Sequence, residues 1–155
     1  MPVTLRDEIR QKRPFGSLEQ EAYLNIVRTA IALDDDLDEV MRLAGITLPQ
    51  YNVLRILRGA EPTGLCRGEL GDRMLTRMPD VTRLLDRMEK AGLVRRARET
   101  TDRRQVRTHI TPEGRRLLAV HDDAVYEAHA HQLGHLPTGE LRTLIALLTK
   151  VRHPA

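Results

Sequence analysis

Between Arg77 and Gly114 the repeat of the apolar side chains changes, and that change limits the folds open to this chain. The stretch RMPDVTRLLDRMEKAG sets Val81, Leu84, Leu85 and Met88 three or four residues apart, the spacing that stacks side chains on one helical face. At 100° per residue, Arg83, Asp86, Arg87 and Lys90 take the opposite face, with Asp80 and Thr82 on its flanks. Pro79 is tolerated near the start of such a helix, and Gly92 ends it. From Leu93 to Thr111 the helical period is gone, and LVRRARET and QVRTHIT read as two extended arms around the polar tip TDRR.

The segments on either side are helical. Leu18, Ala22, Ile26, Ala30, Leu33, Leu37, Val40, Met41 and Ala44 predict a long first helix, stopped by Gly45. A second apolar row on it, Tyr23, Val27 and Ile31, is broader than one packed face needs and implies contact with another chain. Thr47 caps a second helix, with Gln50 three residues on and Pro49 in the first turn, running to about Arg58. GAEPTG is turn chemistry, and LCRGELGDRM, residues Leu65 to Met74, predicts a short third helix. Thr111 and Pro112 open a fifth helix after the hairpin. GHLPTG breaks it, and ELRTLIALLTKVR forms a sixth whose apolar residues cover most of its circumference. The expectation is a mainly α chain: an N-terminal dimerisation arm and helix over 1–44, a winged helix-turn-helix lobe with a two-stranded β-wing over 45–116, and C-terminal dimerisation helices over 117–155, intertwined as a homodimer.

Charge is segregated along the chain. Glu19, Glu21, Asp34, Asp35, Asp36, Asp38 and Glu39 oppose only Arg28 and Arg42 between Ser17 and Ala44, whereas fourteen bases stand against eight acids between Gly64 and Arg116. Of those bases only Lys90 is a lysine, and planar guanidinium favours phosphate and base-edge recognition. The N-terminus MPVTLRDEIRQKRPFG lacks the apolar centre of a secretory signal, and no apolar run approaches the ~20 residues that span a bilayer. Cys66 is the one cysteine, which excludes a disulfide framework within the chain. A cytoplasmic protein without a membrane partner is expected.

Three helices followed by a wing is the arrangement that lays one helix in the major groove of double-stranded DNA. Thr82 and Arg83 are candidates for base edges or phosphates, Arg77 stands at the helix start, and Arg87 is near enough for a backbone contact. Asp80 is a candidate either for a cytosine amino group or for the helix dipole. Arginine on a narrow finger suits the minor groove, where negative potential is focused.

The run ELGDRM…MPDVTRLLDRMEKAGLVRRARETTDRRQVRTHITPEG resembles the helix-turn-helix and wing of the MarR family, over about Leu48 to Leu118. The wing pattern of that family reads here as Asp102, Arg103 and Arg104, then Ile110, Thr111 and Gly114. By that resemblance Arg103 enters the minor groove and Asp102 pairs with Arg104 to hold the loop. Met78, Asp80, Arg107, Thr108 and His109 depart from the usual family residues. The resemblance implies a bacterial, ligand-responsive repressor that binds a pseudo-palindromic operator, with a small aromatic or phenolic effector acting between the dimer helices and the DNA-binding lobe.

Two other chemistries compete with this reading. His131 and His135 stand at the i,i+4 spacing that chelates metal from one helical face, so a zinc-responsive regulator is an alternative, although no cysteine or carboxylate completes a tetrahedral set by sequence. A non-specific architectural DNA-binding protein is another. Cys66 reads as a small, partly buried thiol, and the acidic run from Asp34 reads as a solvated face. No phosphate loop, nucleophile elbow or metalloprotease motif is present, so no catalytic residues and no cofactor are assigned.

Overall fold

The computed structural model describes residues 3–77, 80–99 and 105–154. The element order is α1 (Leu5–Glu8), α2 (Leu18–Ala44), α3 (Leu48–Arg58), β1 (Leu65–Cys66), α4 (Arg67–Arg73), α5 (Val81–Lys90), β2 (Val94–Arg98), β3 (Val106–Ile110), α6 (Pro112–Leu133) and α7 (Thr138–Arg152). The chain divides into two compact units, residues 1–36 and 37–155.

In the first unit, Thr4 and Asp7 cap the short α1 reciprocally, and the Arg6 guanidinium donates to the carbonyls of Gln11 and Lys12. The first part of α2 exposes Leu18, Tyr23, Val27 and Ile31.

The second unit contains the main core. Val53, Leu54 and Leu57 of α3 meet Leu70 of α4, Leu84, Leu85 and Met88 of α5, Val94 and Ile110 of the sheet, and Leu118 and Val125 of α6. Local chemistry sets where these helices begin. Thr47 and Gln50 form the expected capping box of α3. Gly45 ends α2 with φ +71, in the left-handed region where a side chain is strained. A half-buried cluster ties α3 to α6: the Arg58 guanidinium donates to Asp122 at 2.6 Å, and the Tyr51 hydroxyl donates to the same carboxylate at 3.2 Å. Arg58 holds the Asp122 carboxyl below its usual range, and burial pushes the Tyr51 phenol up.

The base of the wing is locked to α6 through Thr111. Its Oγ1 accepts from the Gly114 N–H at 3.1 Å, capping α6, and donates to the Gly92 carbonyl at 2.6 Å, while its own N–H reaches the Leu93 carbonyl at 3.1 Å. Gly114 permits this approach, because a Cβ there would lie 2.4 Å from the Leu93 carbonyl oxygen. The Thr111 and Gly114 of the sequence motif therefore serve one joint.

Four expectations change. The two-stranded wing forms from β2 and β3, and a third antiparallel strand, β1, joins it in the order β1-β3-β2, because Leu65 and Cys66 pair with Thr108 and Arg107 instead of opening the third helix. The helix built from RMPDVTRLLDRMEKAG starts at Val81, so Arg77 precedes it. A short helix, α1, comes before the long first one. Finally, α6 ends at Leu133, which leaves His135 beyond the helix that was to pair it with His131.

Candidate nucleic-acid interface

α5 stands on its core side through Leu84, Leu85 and Met88 and exposes Thr82, Arg83 and Arg87 on the other. Asp80 caps the helix: Oδ1 accepts from the Arg83 N–H at 2.9 Å, and Oδ2 lies 3.0 Å from Arg83 Nε. One carboxylate thus satisfies an orphan helix donor and steers a guanidinium that is 82% exposed. Its observed contacts are structural rather than those of a free base-reading group. Arg87 Nε donates to the Arg83 carbonyl at 3.4 Å, leaving the rest of that guanidinium outward.

Neighbouring elements fix this helix. Asn52 of α3 accepts from the Leu75 N–H at 3.0 Å and holds the turn between α4 and α5. Arg67, at the start of α4, donates to the Thr82 hydroxyl at 3.3 Å. From β2, Arg96 donates to Glu89 through its backbone N–H, Nε and Nη2, and Nη2 also lies 2.7 Å from Asp86. Hydrogen bonding from Arg96 holds the Glu89 carboxyl below its ordinary range. Asp86, expected on the outward face of α5, therefore serves as part of the attachment to the wing.

Not every arginine here is available to a polyanion. Arg107 of β3 is engaged by Glu99, by Glu69 at 3.2 Å and by the Gly64 carbonyl at 3.2 Å. The second carboxylate, Glu69, is held below its usual range first by the Cys66 N–H that it accepts at 2.8 Å. Cys66 itself is half-buried.

Among the predicted site residues, Asp80, Thr82, Arg83 and Arg87 are gathered on or beside one exposed stretch, and Arg77 is exposed ahead of it. Asp102, Arg103 and Arg104 lie outside the described residues, as do Met78 and Pro79. Among the described residues, no group of three His, Cys, Asp or Glu side chains is placed to hold a metal. Asn52, Arg67 and Arg96 were not anticipated. Their partners lie 23, 15 and 7 residues away in sequence, beyond any periodic pattern.

A supported helix-turn-helix whose second helix presents a polar, arginine-bearing face, followed by a strand pair and a latched wing base, defines a winged helix-turn-helix DNA-binding protein. Residues 46–106 match the model of the MarR family. The regulator FarR of Neisseria gonorrhoeae, described as an HTH-type transcriptional regulator, is 30% identical over 141 residues, covering 89% of this chain and 95% of that protein. The crystal structure of a MarR transcription factor from Planctomyces limnophilus superposes with a TM-score of 0.66 at 39% identity, over 88% of this chain and 98% of that one. The fold is also that of Sco3205 from Streptomyces coelicolor, a MarR family regulator solved in complex with DNA, with a TM-score of 0.79 at 23% identity over 92% and 91% of the two chains. The chain belongs to the MarR family of transcriptional regulators, and its relatives are regulators rather than enzymes.

Proposed function

We propose that this regulator is a ligand-responsive repressor that binds a pseudo-palindromic operator as a homodimer. The observation that carries the DNA reading is the outward face of α5, where Thr82, Arg83 and Arg87 are exposed opposite a fully packed apolar face. In the bound state Thr82 and Arg83 read the major groove, and Arg77 and Arg87 contact the backbone. Arg103 enters the minor groove, and Asp102 orients Arg104.

The dimer reading is supported by apolar surface at both ends of the chain. No residue of α7 is buried, and Ile145, Leu147 and Val151 are each more than half exposed. On α2, Leu18, Tyr23 and Ile31 are likewise open. Exposed apolar faces of this extent mark protein contact. In this reading residues 1–44 and 117–155 make the dimer and 45–116 bind DNA. Family membership supports a small aromatic or phenolic effector, which acts by favouring one spacing of the two α5 helices over another. A cytoplasmic location follows from the DNA partner. No helix among the described residues is long and apolar enough to cross a membrane.

Selection from random duplexes with the purified full chain tests the reading, with the salt dependence of affinity recorded on the enriched site. An inverted repeat with half-sites about one helical turn apart is the expected product. Salt-sensitive binding without sequence preference would replace the repressor with an architectural protein.

A further inference from the structure

A cleft of about 770 Å³ separates α4 and α5 from the wing, lined by Arg67 and Glu69 of α4, Thr82 of α5, Arg96 of β2, and Gln105 and Arg107 of the second wing arm. Two of its three guanidinium groups are already committed. Arg96 is held by Glu89 and Asp86, and Arg107 by Glu99, Glu69 and the Gly64 carbonyl. Glu69, the one acid among the described lining residues, is taken up by Arg107 and by the Cys66 N–H. Arg67 is exposed and makes no ion pair with any described residue.

The Arg67 guanidinium meets the Thr82 hydroxyl, to which Nη1 donates at 3.3 Å. A guanidinium can only donate, so the hydroxyl accepts, and its own proton is left to point elsewhere. Thr82 is exposed, and no described residue accepts that proton. The positive charge beside the oxygen also repels a second donor. Thr82 is thereby set to donate, and guanine offers two acceptors, O6 and N7, on its major-groove edge with no competing donor. With α5 in the major groove and the wing in the adjacent minor groove, the sugar-phosphate strand between those grooves crosses the cleft.

We propose, resting on the DNA reading of α5, that Arg67 is a specificity-determining residue. Its Nη1 holds the Thr82 hydroxyl as a donor to guanine, and its remaining N–H groups take a phosphate of the strand that crosses the cleft.

The test is selection from random duplexes by the full chain as the parent, as Thr82→Val, as Arg67→Gln and as the double variant. Affinity is then measured at several salt concentrations on the site that the parent enriches. Both side chains are exposed, so the variants keep the core intact. Thr82→Val keeps the shape of the side chain and loses the hydroxyl, so the base pair at which it relaxes selection is the one that Thr82 reads. The expected result is a G·C pair there, a preference for it that falls about fivefold in Arg67→Gln, and a salt slope lower by about one counterion. The double variant should relax that pair no further than Thr82→Val alone. An enriched site on which Arg67→Gln leaves the preference unchanged would overturn the proposal while the DNA reading stands, and a reduced slope alone would make Arg67 a plain phosphate contact. Selection unaltered by Thr82→Val, or an A·T pair at the relaxed position, would overturn it as well. No enriched site with the parent would remove the DNA reading and this role together.

Discussion

Arg96 grips Glu89 with three donors, its backbone N–H at 2.8 Å, Nε at 2.8 Å and Nη2 at 2.6 Å, and so fastens the first wing strand, β2, to α5. The two side chains are 30% and 36% exposed, so solvent screens much of their attraction. The value of the pair lies in geometry: it sets the angle between α5 and the wing, the two elements proposed to meet DNA together. Arg96→Lys keeps the charge and loses the fork. Its affinity for the operator should fall about two- to fivefold, the range of a partly exposed pair, with the salt slope unchanged because no phosphate contact is removed. Fluorescence anisotropy at several salt concentrations measures both quantities, and a reduced slope would make Arg96 a DNA contact instead.

Asp80 performs two tasks that substitution separates. Asp80→Asn keeps an N-cap acceptor but releases Arg83, so stability should hold while affinity for random duplex rises and its salt slope steepens by about one counterion. Asp80→Ala also loses the cap, at about 1 kcal/mol. Thermal unfolding and binding to a random duplex distinguish the two variants. Unaltered binding in both would mean that Arg83 is not held back by Asp80.

Much of this architecture was legible because it depends on local chemistry. The capping box at Thr47 and Gln50, the stop at Gly45 and the apolar row of α5 each act within a few residues, and all appear in the structure. β1 was not legible: two residues carry no period, and only their pairing with Thr108 and Arg107 makes Leu65 and Cys66 a strand. The same holds for the site. Thr82, Arg83 and Arg87 follow from helical phase, whereas the attachment of Arg96 to Glu89 spans the Gly92 turn and depends on the tertiary angle between helix and strand.

The contact at Gly114 predicts a steep packing penalty. Gly114→Ala sets a methyl group 2.4 Å from the Leu93 carbonyl oxygen and 2.9 Å from Ile110 Cγ1, and backbone cannot yield as a flexible side chain does. Overpacking of this kind costs about 1–3 kcal/mol, which for a chain of this length lowers the melting temperature by about 3–10 °C. Calorimetry measures it. A melting temperature within about 1 °C of the parent would show that α6 shifts freely against the wing base, contrary to the latch at Thr111.

Asp122 gives the fold an acid-sensitive joint. Arg58 holds its folded-state pKa below the unfolded value, so ionised Asp122 stabilises the fold above the unfolded pKa, and that contribution is lost as pH falls through the folded pKa. The window therefore begins near the ordinary aspartate value of 3.8 and extends below it. Asp122→Asn removes the charge at every pH and leaves a half-buried Arg58 with a weaker acceptor, at a cost of about 1–2 kcal/mol near neutrality. The difference between parent and variant should stay constant from pH 7 to about pH 5 and shrink below about pH 4. Urea unfolding across that range measures it, and a gap that persists undiminished at about pH 2 would mean that the Asp122 charge is not what joins α3 to α6.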